Sequence, residues 1–86
     1  MDNMAEQINE LDAAIASLNE IHTDVTVPRN VRAKIEVIIS AFKDNTEISI
    51  KVNRTLSELD EIANDVNIQS YTRMQIFNVV SLLEKL

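Results

Sequence analysis

"DVTVPRNVR", residues 24–32, and "DVNIQSYTR", residues 65–73, decide the fold of this 86-residue chain. Each opens with Asp-Val and closes with Arg eight residues after the Asp, and the two are offset by 41 residues. Applied to the whole chain, the offset lays residues 8–45 over 49–86. Eight pairs are then identical: Leu18/Leu59, Glu20/Glu61, Ile21/Ile62, Asp24/Asp65, Val25/Val66, Arg32/Arg73, Ile35/Ile76 and Ser40/Ser81. Ordinary residue frequencies give about two or three by chance. Apolar positions also match, among them Val27/Ile68, Ile38/Val79 and Phe42/Leu83. The chain reads as two copies of one unit, about 8–45 and 49–86.

Each unit spells helix, loop, helix. Met4, Ile8, Leu11, Ile15 and Leu18 recur at steps of four and three, predicting a first helix over about Asp2 to Ile21 with one apolar face. Asp2 and Glu6 suit its N-terminal dipole. Pro28, the only proline, fits the first position of a second helix, because its missing N–H has no partner there. Val31, Ile35, Ile38, Ile39 and Phe42 form the second stripe, and Lys43 is placed in its last turn. Asp44 and Glu47 read as a capping box opening a third helix over about Asn45 to Ala63. Its stripe is Ile48, Val52, Leu56, Leu59 and Ile62. A fourth helix starts around Ile68 to Ser70 and runs to the C-terminus, with Ile76, Val79, Val80 and Leu83 inside. Short connections leave consecutive helices antiparallel. The expectation is a single all-α domain, 1–86, built as an antiparallel up-and-down four-helix bundle.

Composition narrows the chemistry. There is no glycine, so Gly-rich phosphate loops and dinucleotide fingerprints are absent. Turns are expected to use Asn and Asp, which tolerate left-handed backbone. There is no cysteine, which removes thiol catalysis and disulfides and fits a cytoplasmic protein. No apolar run is long enough to cross a membrane. The net charge of −6 disfavours general nucleic-acid binding. His22 is the sole histidine, so a zinc site or a di-iron bundle lacks its ligands. A serine nucleophile needs a base, and His22 stands alone, so Ser40 and Ser81 read as small packing residues. No catalytic, metal or cofactor set emerges, and a non-enzymatic protein is expected.

Three groups of residues stand out. Asp24, Pro28 and Arg32, with Asp65 and Arg73 in the second unit, read as a loop lock: each carboxylate accepts loop N–H groups and its arginine. Arg29, Arg32 and Lys34 cluster where a helix begins and form a candidate anion patch; the second unit has Ser70, Arg73 and Gln75 there. Met74, Phe77, Leu82 and Leu86 widen the fourth helix's apolar arc beyond one stripe and form a candidate interface.

The stretch Thr26-Val27-Pro28-Arg29-Asn30-Val31-Arg32, with Glu61 to Glu84, resembles the archaeal uncharacterised protein family 0147. The likeness covers nearly the whole chain and is strongest over 20–42 and 61–84. It implies an archaeal source and an all-helical bundle, and no activity. Typical members hold Pro where this chain has Gln69, which implies a less rigid second loop. A weaker likeness is to HEAT repeats, whose second helices open Pro-x-x-Val-Arg; two repeats are few for a solenoid, so a closed bundle is expected. The expected role is a small interaction or scaffold protein that forms a homo-oligomer, a dimer above all, or binds a protein partner. The alternative is contact with an anion or RNA through the patch.

Overall fold

The structure, a computed structural model, describes residues 4–86, with side chains from residue 9 onward. The readings of Asp2, Met4, Glu6 and Ile8 lie outside the described side chains. Four helices follow: α1 (Met4–Thr23), α2 (Arg29–Ala41), α3 (Ile48–Ala63) and α4 (Ser70–Glu84). Helix α1 packs against α2 and α4, and α4 against α3, while α2 and α3 meet least. The diagonal pairs, α1 with α3 and α2 with α4, bring no Cα atoms within 8 Å of each other among the described residues. HEAT-type stacking would press α1 on α3 and α2 on α4, so the units instead close into a ring. The bundle measures 42 × 23 × 20 Å.

The repeat reappears in three dimensions. Leu18 and Leu59, Ile21 and Ile62, Val27 and Ile68, Ile35 and Ile76, and Ile38 and Val79 are all buried. Val31 and its counterpart Thr72 are each 1% exposed. Each fully buried aliphatic side chain contributes roughly 1.5–3 kcal/mol, so one spacing of aliphatic residues, used twice, supplies the core.

Local details differ from the expectations. No described residue has positive φ. The turns are made instead by Asp side chains accepting the amide two residues on, a bond that right-handed backbone allows. The capping box does not form. Helix α3 begins one turn later, its N-cap is Glu47, and no side chain caps it. Asp44 Oδ1 accepts the Thr46 amide at 2.8 Å instead. Lys43 follows the end of α2, its amide donating to Ser40 O at 3.0 Å. Ile48, placed on the inner face of α3, is 46% exposed, whereas Lys51 is buried. Ser40 and Ser81 are exposed rather than packed.

Candidate functional site

The two loops share one backbone design. Asp24 Oδ1 accepts the Thr26 amide at 2.9 Å and the Thr26 hydroxyl at 2.7 Å. Asp65 Oδ1 accepts the Asn67 amide at 2.8 Å. Each Asp carbonyl then accepts an amide three residues on, from Val27 and Ile68. Pro28 (φ −54°, ψ 143°) and Gln69 (φ −73°, ψ 157°) set the same entry into the next helix. The second loop therefore takes the proline conformation without proline.

The arginines correct the expected lock. Neither guanidinium donates to its carboxylate. Arg32 Nε donates to Val27 O at 3.0 Å. Arg73 donates through Nε to Ala63 O at 2.9 Å and through Nη2 to Asp65 O at 3.0 Å. Each therefore ties its helix to a loop carbonyl. The Thr26 hydroxyl and then its amide hold the Asp24 carboxyl below the usual carboxylate range, slight burial opposes this, and the Arg32 charge adds the smallest contribution.

The basic residues do not converge as the sequence suggested. Arg29 and Arg32, one turn apart on α2, border a shallow cleft of about 410 Å³ with His22, Thr23, Ala33 and Glu36. Lys34 does not line it; five residues beyond Arg29 it points well round the helix. The end of α1 supplies His22, whose Nε2 lies 3.8 Å from Glu36 Oε2. Sequence reading missed His22, Thr23 and Glu36 as partners of the arginines. The seven-residue spacing from Arg29 to Glu36 was the available signal, since it puts both on one face of α2. Helix α2 has no acidic residue in its first turn and no side-chain cap. Among the described residues no group of three or more His, Cys, Asp or Glu is placed to hold a metal ion.

The candidate interface divides. Met74 is 69% exposed and Phe77 54%, and Tyr71 joins them at 63%. Leu82 and Leu86 instead pack against the core. Leu86 reaches the start of α3, beside Ile48, Val52 and Asn53. The matched loop-tip residues Val25 and Val66 are also exposed; in an up-and-down bundle both loops sit at one end.

A closed four-helix bundle of two repeated hairpins, with no helix among the described residues long and apolar enough to cross a membrane, defines the class of protein. The chain belongs to the Uncharacterised protein family (UPF0147), whose family model matches residues 1–86. It is 44% identical over 69 residues to a family protein of Methanocaldococcus jannaschii, covering 79% of this chain and 74% of that protein. A Thermoplasma volcanium relative is 33% identical over 84 residues, covering 96% and 94%. The fold is similar to a crystal structure of a protein of unknown function, with TM-score 0.83 and 34% identity over 92% of this chain and 91% of that one. The archaeal family and the helical bundle expected from the sequence are thus both found.

Proposed function

We propose that this protein is a small, non-enzymatic interaction protein of the cytoplasm that works as a dimer, pairing two copies through the outer face of α4. The observation that carries the reading is the row Tyr71, Met74 and Phe77, each more than half exposed and spaced three residues apart. Each offers on the order of 100 Å² of surface. The exposed positions of α4 from Ser70 to Ser81 are Ser70, Tyr71, Met74, Phe77, Asn78 and Ser81, none of them charged. On a chain of net charge −6, such a strip is where a second identical copy meets no like charge. A two-fold axis across α4 would set Phe77 against the same strip of its partner.

Sedimentation equilibrium tests this. The wild type is expected to be a dimer at micromolar concentration, and Phe77→Glu a folded monomer with an unchanged helical signal. A monomeric wild type would overturn the pairing. A Phe77→Glu protein that stays dimeric would move the interface off α4.

A further inference from the structure

The two units set the same positions around two matched corners of the bundle and furnish them differently. In the first unit the corner holds His22, Thr23, Arg29, Arg32 and Glu36 around the cleft. The 41-residue offset turns these into Ala63, Asn64, Ser70, Arg73 and Phe77. There Ala63 is buried and Arg73 is committed to two backbone carbonyls. The loop geometry is the same in both units, so the fold does not need His22 or Arg29. Arg29 carries its charge in the first turn of a helix, where the dipole disfavours it. It is exposed, and no carboxylate pairs with it among the described residues. Arg32 is oriented by one bond, from Nε to Val27 O, and its two Nη nitrogens have no protein acceptor among the described residues.

We propose that this cleft binds a small phosphate monoester that carries a hydroxyl near its phosphate. Two guanidinium groups one helical turn apart match a dianionic phosphoryl group and can hold it through paired N–H donors. His22 adds a third nitrogen from the facing helix end. Glu36 and Asp24 put negative charge nearby: Glu36 borders the cleft at 3.8 Å from His22 Nε2, and Asp24 lies close enough to feel Arg32. A bare anion is therefore partly opposed, whereas a ligand hydroxyl can donate to the Glu36 carboxylate. The volume of about 410 Å³ lies in the range of small-molecule sites.

The test is a titration of the full chain, followed by amide ¹H–¹⁵N spectra, with inorganic phosphate, ribose 5-phosphate, ribose and a short single-stranded RNA. Ribose 5-phosphate is expected to shift amides across residues 22–36 with saturation in the millimolar range or below. It should bind at least about tenfold more tightly than inorganic phosphate, and ribose should not bind. Arg29→Gln is expected to lose about tenfold in affinity with an unchanged unfolding curve, since that side chain holds no part of the fold. Glu36→Gln should erase the preference for the sugar phosphate over inorganic phosphate. Absence of saturation would overturn the proposal, as would equal shifts over residues 63–77, which would mark ions gathering at any helix start. RNA binding more tightly than ribose 5-phosphate at the same amides would also overturn it and move the ligand class to a polymer.

Discussion

The ammonium of Lys51 lies 3.3 Å from Asp44 Oδ1, and the 41-residue offset maps this pair onto Glu10 and Lys85, which lie 3.9 Å apart with the charges exchanged. The first pair joins the end of α2 to the start of α3. The second joins the end of α4 to α1. The two pairs therefore sit at matched places in the repeat, one between helices the chain links directly and one between its two terminal helices. The exchange of sign has a consequence for pairing. Two first units facing each other would oppose Glu10 and Asp44, and two second units would oppose Lys51 and Lys85. Only the first unit against the second satisfies both pairs, which is the arrangement within one chain.

Lys51 carries more than an ion pair. It is 8% exposed, and its Nζ also donates to the carbonyls of Phe42 and Asp44 just past the end of α2. Lys51→Met keeps the aliphatic stem and strips those carbonyls of their donor. The expected loss is about 1 kcal/mol, the contribution of hydrogen bonds to carbonyls that are only partly buried. Urea denaturation reads it as a lowered midpoint with an unchanged slope. A midpoint equal to wild type would show that water replaces the ammonium at no cost.

Acid should weaken the loops. The Asp24 carboxyl is held low first by the Thr26 hydroxyl and amide, and Asp44 first by the Thr46 amide and hydroxyl, with Lys51 helping. A carboxyl whose folded pKa is depressed contributes stability above its unfolded pKa and loses it as pH falls through the folded value. The loss is therefore expected below about pH 4. Asp24→Asn can still accept the Thr26 amide but has no charge to titrate. Its stability should fall less steeply than wild type as pH drops from 5 to 2, measured as urea midpoints at each pH. Parallel curves would remove Asp24 from the acid response.

Ile76 and Phe77 are neighbours in sequence with opposite burdens. Ile76 is 0% exposed and Phe77 is 54% exposed. Ile76→Ala is expected to cost about 2–5 kcal/mol, because it removes buried methyls and leaves a cavity. Phe77→Glu should stay within roughly 0.5 kcal/mol of wild type in the monomer. Thermal unfolding of dilute protein separates them. A collapse of Phe77→Glu would place that ring in the core and withdraw the α4 face.

Gln69 offers a gain. Its φ of −73° and ψ of 157° lie close to the values at Pro28, and its N–H makes no backbone hydrogen bond among the described residues. Gln69→Pro fixes φ near the value it already has and removes freedom from the unfolded chain. It should stabilise by about 0.4–1 kcal/mol. A lowered melting temperature would show a clash with Ile68, the residue ahead of it, that Val27 avoids ahead of Pro28.

The sequence alone determined the architecture. Aliphatic residues at three- and four-residue spacing, repeated after 41, dictate four helices, most of their inner faces and a pseudo-symmetric core, because burial largely follows residue type; exposed Ile48 and buried Lys51 are exceptions. Leu18 and Leu59 or Ile35 and Ile76 can be assigned to the interior without coordinates. The loop aspartates were legible for the same reason, since a carboxylate two residues before an amide has one local way to bond. What only the tertiary structure decided was where long polar side chains end. Arg32 and Arg73 bond to backbone carbonyls, and Lys51 turns inward to two more. Every residue presents the same carbonyl, so nothing in the sequence marks which one will be the acceptor. The cleft is likewise invisible in the string: His22 belongs to α1, Arg29 and Glu36 to α2, and only the packing of one helix end against the other brings them together.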